Sequence, residues 1–356
     1  MKKLIKIIIA CVLFFVLVVG SLVIWYFSSL GRVNSGKEKI EFIVDKNATF
    51  STLGQKLEES KLIKSELAYK IYIKLSKPGN LKAGTYELDG SMGVKKIVEI
   101  LSEGNSYNPN IVSVTFREGL NMRAIAEIIE SNTENTYEDV FRLLKDEAYL
   151  NEVINNYWFV TEEVKNKNLY YSLEGYLFPD TYQIDKTWSI KGIFKLMLDR
   201  MEQELDVYKK DIEKSNYNVH ELLTLASIIE LEAGTSNERS GVAGVFYNRL
   251  RDGWTLGSDV TTYYAAKKSF KEDLTYAELN DCNYYNTRGT CFTGLPVGPI
   301  SNPGSESIKG VMNPTSHNYY YFVADKNGKT YFNTNSYGHS ATIAELKSNN
   351  LWYVYE

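Results

Sequence analysis

A chain of 356 residues, 44% hydrophobic and 24% charged, is long enough for a real core and two domains, and its composition excludes the disordered and fibrous classes. Three cysteines are too few for a disulfide scaffold, and a formal net charge of −4 argues against nucleic acid as the main partner.

The chain opens with Lys2, Lys3 and Lys6, followed by Ile7 to Phe27, 21 residues without a charge. About 20 such residues cross a bilayer. The run exceeds the ~7–15-residue apolar stretch of a signal peptide. It ends in Trp25, Tyr26 and Phe27 rather than at a small-residue cleavage site, so it reads as a retained transmembrane helix at 7–27. Lysines precede the span and none lies within it, which places residues 1–6 in the cytoplasm and everything after Arg32 outside. The outer part is net acidic once those lysines are set aside, and a neutral or mixed-charge polymer suits it better than nucleic acid or anionic lipid.

Residues 28–39, polar and with Gly31 and Gly36, read as a linker. A compact unit at 40–105 follows: strands at Ile40–Val44 and Lys82–Leu88, and amphipathic helices at Ser51–Ser60, Ser65–Leu75 and Val94–Leu101. Gly104 to Pro109 breaks the pattern. The stretch FIVDKNATFSTLGQKLEES, 42–60, aligns without gaps on VTFREGLNMRAIAEIIESN, 114–132, pairing Leu53 with Ile125 and Leu57 with Ile129. Both read strand, turn, helix, either as one supersecondary unit used twice or as a duplication. Residues 133–220 are helical in pattern, interrupted at 172–182 by Gly175 and Pro179. Tyr319 to Val323, Asp325-Lys-Asn-Gly328 and Lys329 to Phe332 form a hairpin signature. The fold class is therefore α+β, with the larger unit at 111–356. Cys282 and Cys291, nine positions apart, either close a small loop or stay as two thiols.

Leu223 to Gly234, LTLASIIELEAG, is apolar on nearly every side yet ends with two carboxylates. A carboxylate inside a domain is costly unless paired, hydrogen-bonded or protonated. Residues three and four away are neighbours on a helix. Glu230 has Ala226, Ser227, Ala233 and Gly234 there, a small strip that another molecule can approach; Glu232 lies over Ile228 and Ile229. Glu230 is the better candidate for chemistry. In an apolar recess it can stay protonated and act as a general acid, as glycosidic cleavage requires. It could equally be ion-paired with Arg239, Arg249 or Arg251, or face water. The histidines, His220, His317 and His339, are scattered, with no H-E-x-x-H, phosphate loop or nucleophile elbow. Neither a metal nor a cofactor is expected.

Several ordered stretches resemble the endolytic murein transglycosylases of the MltG/YceG-like group: Leu173 to Tyr182, the Ala-Ser-Ile-Ile-Glu-x-Glu core, Val242 to Leu250, Leu256 to Tyr264, Tyr285 to Thr287, Gly294 to Gly304, Asn313-Pro314 and Tyr320 to Asp325. Residues 40–104 resemble that family's LysM-like subdomain, so the resemblance spans nearly the whole chain. Val260 and Val297 stand where the family pattern has proline, which bears on loop stiffness and not on a titrating group.

The resemblance implies a bacterial plasma-membrane enzyme, single-pass, with an extracytoplasmic catalytic domain. It implies cleavage of nascent glycan strands between MurNAc and GlcNAc, leaving 1,6-anhydro ends and so limiting strand length. It also implies peptidoglycan synthases as partners. Glu230 would be the catalytic acid, first protonating the bridging oxygen and then taking the proton of the sugar's own 6-hydroxyl; Glu232 would be a supporting acid. Asn248, Asp259, Asn286 and Asn302 in the matching stretches carry groups suited to sugar hydroxyls, and Tyr247 and Tyr285 offer flat rings for a groove. A non-catalytic peptidoglycan-binding scaffold is the alternative from another class. A hydrolytic muramidase, the third reading, needs a second carboxylate, for which Glu174 and Asp259 are the acids to inspect.

Overall fold

The computed structural model describes residues 2–34, 39–45, 48–104, 110–233, 238–289 and 292–352, with side chains from Ile9 onward. It divides into two compact units, Met1–Asn110 and Ile111–Glu356. The architecture is mixed α+β, with all its described strands in two-stranded antiparallel sheets.

The first unit begins with α1 (Lys2–Ser29), whose stretch Ile9–Ser29 holds an 18-residue window of mean hydropathy 2.7 and is long and apolar enough to cross a membrane. Then come β1 (Ile40–Val44), α2 (Phe50–Glu59), α3 (Glu66–Ser76), β2 (Gly84–Leu88) and α4 (Gly93–Glu103). Strand alternation turns Phe42 and Val44 of β1 inward, with Phe42 opposite Tyr86 of β2. Leu53 and Leu57 of α2 and Val94, Ile97 and Leu101 of α4 close the core around them. The buried Tyr69 and Tyr86 each donate their hydroxyl to a carbonyl, Phe50 O at 2.9 Å and Lys82 O at 2.6 Å.

The expected linker is fastened over much of its described length. Ser28 and Ser29 complete α1, Val33 N donates to Gly90 O at 2.8 Å, and Val94 N donates to Leu30 O at 3.1 Å. Leu30 packs on the core. Polar composition marks a segment as non-helical; it does not say whether the backbone finds partners there. Residues 35–38 lie outside the described residues.

The second unit runs β3 (Ile111–Thr115), α5 (Met122–Asn132), α6 (Tyr137–Leu143), α7 (Glu147–Asn156), β4 (Thr181–Asp185), α8 (Ile190–Asp206), α9 (Lys209–Ile212), α10 (Val219–Glu232), α11 (Arg239–Arg251), α12 (Asp259–Ala266), α13 (Tyr276–Leu279), α14 (Ser305–Met312), β5 (Tyr321–Ala324), β6 (Thr330–Asn333) and α15 (Ser336–Ser348). Strand β4 is where the sequence reading falls short. The irregular path ends at Asp180, and Thr181 to Asp185 then alternates, burying Tyr182 and Ile184 while pairing antiparallel with β3. The hairpin forms as expected, with Phe322 opposite Phe332 and Asp325 Oδ1 accepting from Asn327 N and Lys329 N in the turn.

Helix α10 is the axis of this unit. Asn218 and Glu221 cap its start reciprocally, every residue from Val219 to Ile229 but Glu221 is buried, and α11, α12 and α14 pack against it. All-round burial explains a helix that is apolar on all sides. Full burial of each isoleucine or leucine on it stabilises the unit by ~1.5–3 kcal/mol.

Candidate active site

Part of the small strip on α10 meets the protein's own chain. Ile300 N donates to Ser227 Oγ at 3.0 Å and Ser301 Oγ to Ser227 O at 3.1 Å, so the segment leading into α14 lies directly on Ser227. Small residues admit close backbone approach, and at Ser227 the backbone is the chain's own. The two acids emerge at the end of this strip, on opposite sides of Leu231 in sequence. Gly234 to Asn237, among the neighbours weighed from the sequence, lie outside the described residues.

Glu230 is 5% exposed and both its oxygens accept hydrogen bonds. Arg239 Nη2, at the start of α11, donates to Oε1 at 2.6 Å; Gly304 N, at the cap of α14, donates to Oε2 at 2.9 Å. Of the pairings open from the sequence, the structure contains the one with Arg239. Glu230 is thus not isolated in an apolar recess, because α11 brings a guanidinium to within hydrogen-bond distance. Such charge-assisted bonds fix its direction and balance its charge. The helix dipole of α14 adds favourable potential at its N-terminal end.

A second carboxylate shares this arginine. Glu118, in the turn after β3, has Oε2 3.9 Å from Arg239 Nη2 and is 50% exposed. Burial and the nearby charge of Glu230 push the Glu118 carboxyl up, Arg239 opposing. Gly304 makes room for it: a Cβ there would fall 1.9 Å from Glu118 Oε1. The turn itself needs a left-handed residue, Gly119 at φ +77°, whose N–H bonds Asn302 O at 2.9 Å while Asn302 N bonds Leu120 O at 2.8 Å.

Asn302 is the clamp that sets this geometry. Its Oδ1 accepts Leu177 N, and its Nδ2 donates to Leu120 O and to Glu174 Oε1. The buried Glu174 also accepts Met122 N and Tyr264 OH, each at 3.0 Å. Burial pushes its carboxyl up to about 7 against those donors. With both oxygens occupied inside the fold, Glu174 is a structural acid and does not face Glu230 as a second carboxylate would.

Glu232 points elsewhere. It accepts Ser258 Oγ at 2.5 Å and lines a cleft of about 660 Å³ together with Asp259, Val260, Tyr263, Phe270, the hairpin and Trp352. Burial pushes its carboxyl up, with a contribution from Asp259; Ser258, Arg249 and Arg288 act the other way. A smaller pocket of about 190 Å³, lined by Gly119, Arg123, Tyr264 and Lys268 among others, shares Leu231, Val260, Tyr263 and Phe270 with the cleft, so the two adjoin. Gly119 sits between that pocket and Glu230, since a Cβ on it would lie 3.7 Å from Glu230 Cγ.

The structure places the remaining expected substrate-contact residues as follows. Asn248 is buried, its Nδ2 donating to His317 O and Tyr319 O and its Oδ1 accepting Arg251 Nη1. Asn286 is buried, accepting Thr262 Oγ1 and donating to carbonyls at 278, 279 and 281. Tyr285 is fully buried with its hydroxyl accepting Tyr170 N, and Tyr247 donates its hydroxyl to Val311 O. With Asn302, these five side chains direct their polar groups to the backbone and to other side chains within the fold. Asp259 alone is at the surface, 54% exposed, lining the cleft and paired with Arg288.

Glu118 is not among the residues expected from the sequence, and Arg239 is expected there only as an ion-pair partner of Glu230. The available signal was Glu118-Gly119 directly after a strand, an acid beside a residue that permits a tight turn. Two of the histidines hold the fold: His220 bridges Tyr176 OH and Val297 O, and His317 bonds Gly241 O and Tyr319 N. Among the described residues no group of three or more His, Cys, Asp or Glu could hold a metal ion. Cys282 is disulfide-bonded, and Cys291 lies outside the described residues.

A sequence model of the YceG-like family matches residues 42–345. An endolytic murein transglycosylase of Bacillus subtilis (strain 168) is 34% identical over 319 residues, 89% of this chain and 87% of the relative. One of Streptococcus pneumoniae (strain R6) is 31% identical over 327 residues, 87% of this chain but 59% of that longer relative. The crystal structure of a yceG-like protein from Listeria monocytogenes superposes with a TM-score of 0.61 at 34% identity, covering 86% of this chain and 100% of that one.

Proposed function

The chain belongs to the YceG-like family, and on that premise we propose that it is a membrane-anchored endolytic lytic transglycosylase of peptidoglycan. It cuts MurNAc–GlcNAc bonds within nascent glycan strands and leaves 1,6-anhydro-MurNAc ends. Glu230 gives its proton to the bridging oxygen as the C1–O bond breaks. The sugar's 6-hydroxyl oxygen then closes on C1 and its proton returns to Glu230. Closure within the substrate avoids the entropy of recruiting water.

The observation that carries this reading is the pair of donors on Glu230. The reaction makes a carboxylate midway, and Arg239 and Gly304 N–H are the donors at hand to hold that charge. The strand itself lies in the aromatic cleft beside Glu232, with Asp259 on its wall. α1 is the anchor, with its leading lysines cytoplasmic and the chain after Arg32 outside. Residues 40–105, with their strand-helix-helix-strand order, form a LysM-like unit that keeps hold of glycan, and peptidoglycan synthases in the same membrane are the partners.

One observation favours a second assignment within the same reaction: Glu232, not Glu230, lines the cleft, and its carboxyl is pushed up. Mass spectrometry of uncrosslinked glycan strands digested by wild type, Glu230→Gln and Glu232→Gln separates the two. We expect internal cuts with 1,6-anhydro ends from wild type, a ~10²–10⁴-fold slower reaction for Glu230→Gln and a far smaller loss for Glu232→Gln. The reverse order assigns the acid to Glu232. Reducing ends from wild type mean a hydrolytic muramidase, and intact strands bound equally by all three proteins mean a scaffold.

A further inference from the structure

Arg239 is 11% exposed and its Nε is buried without a partner, so its charge depends on the carboxylates around it more than on water. In the structure Nη2 lies 2.6 Å from Glu230 Oε1 and 3.9 Å from Glu118 Oε2. A proton on Glu230 Oε1 would set a donor against a donor and leave a largely buried guanidinium without its counter-charge, a costly state. The general-acid role of Glu230 requires that protonated state at the start and end of every turnover.

We propose that Arg239 alternates between two carboxylates, pairing with Glu118 whenever Glu230 carries the proton and with Glu230 whenever it does not. The inference rests on Glu230 being the general acid. Glu118 is then a positioning residue, acting on the reaction through Arg239.

The geometry suits such an exchange. Closing from 3.9 Å to hydrogen-bond length takes a shift of about 1 Å. Glu118 is half exposed, so water solvates it while Arg239 is engaged elsewhere, and the absent side chain of Gly304 leaves its carboxylate room to lie. When the proton leaves Glu230 for the bridging oxygen, the guanidinium swings to the new carboxylate and stabilises it. When the proton of the 6-hydroxyl returns to Glu230 as the oxygen–C1 bond forms, Arg239 goes back to Glu118. No proton is gained or lost over the cycle. The other charges at this place are Glu306 on α14, which adds repulsion at Glu118, and Glu238 at the start of α11, one carboxylate oxygen of which is buried without a partner. Neither replaces Glu118, because neither forms an ion pair with Arg239 among the described residues.

Steady-state rates against pH, measured with the full chain in detergent on uncrosslinked glycan strands, test the exchange with wild type, Glu118→Gln, Glu118→Asp and Glu230→Gln. Without Glu118, Arg239 has Glu230 as its remaining partner and holds it charged. The limb on which activity falls with rising pH should therefore move to lower pH by about one unit, kcat should drop about tenfold, and KM should stay within about twofold. Glu118→Asp, which keeps the charge, should recover part of both changes. An unmoved limb, or a loss in Glu118→Gln that is uniform across pH and not recovered by Asp, overturns the proposal. Full activity in Glu230→Gln would instead remove the reading on which it rests.

Discussion

Residues 42–60 and 114–132 are the same construction put to two uses. In each, a strand feeds a turn and then a helix, and the burial matches position by position. Phe50, Leu53, Gly54 and Leu57 are buried in α2; Met122, Ile125, Ala126 and Ile129, each 72 positions on, are buried in α5. The turns differ. The second carries Glu118 and Gly119, which reach Arg239 and Asn302. The sequence of the first has Lys46 and Asn47 at the matching positions, outside the described residues. Packing sets the helix and the strand; chemistry is free to occupy the turn, where no core contact constrains the side chain.

The largest effect should come from making the second turn like the first. Glu118→Lys places a cation beside Arg239 and removes its alternate partner, so turnover should fall by about 10²-fold or more, whereas Lys46→Glu should leave the rate within about twofold. Comparable rates for the two variants would mean that the turns do not differ in function. Next in size is the shared framework. Leu53→Ala and Ile125→Ala should each destabilise by about 2–5 kcal/mol in urea titrations, since both remove a branched side chain from a closed core. They should part in activity, with Ile125→Ala slowing turnover because α5 follows directly on the Glu118 turn, and Leu53→Ala leaving the rate per folded molecule unchanged.

The smallest effect is one of pH. Glu174 supports the second turn through Met122 N and Asn302, and its carboxyl rises from an ordinary 4.5 to about 7 in the fold. Below 4.5 it is protonated folded and unfolded, with no cost. As pH climbs from 4.5 to 7 the unfolded chain sheds the proton first, so folding stability falls across that window by up to a few kcal/mol and then levels off. Glu174→Gln should flatten that slope, and an unchanged dependence of the urea midpoint between pH 4.5 and 7 would show that the acid does not titrate there.

Periodicity made much of this molecule legible: the apolar run of α1, the alternation in β1, the all-round apolar α10 and the Asp325–Gly328 hairpin each follow from a repeat of one residue type along the chain. The Thr181–Asp185 strand was lost because its five residues follow a Pro-interrupted stretch and find their partner, β3, some seventy residues upstream. The site was legible only in part for the same reason. Glu230 announced itself as a charge at the end of an apolar helix, but Glu118 lies more than a hundred residues away in sequence and meets it only through Arg239. Asn248, Asn286 and Asn302 illustrate the opposite error. An amide looks the same in sequence whether it reaches for a sugar or for its own backbone, and the choice depends on carbonyls that only the fold brings near.

The bonds that fasten Leu30 and Val33 to Gly90 and Val94 turn the end of α1 into a splint. A flexible coil would let its load wander and swivel; a helix stitched directly to the domain it carries does neither. If α1 stands in a bilayer, the height of the first unit above the surface is a matter of counting: each residue added to the helix ahead of Leu30 lifts the unit by about 1.5 Å and turns it by about 100°. Insertions there would aim the unit in a helical series, and a full turn's worth would be needed before it faced its original direction again.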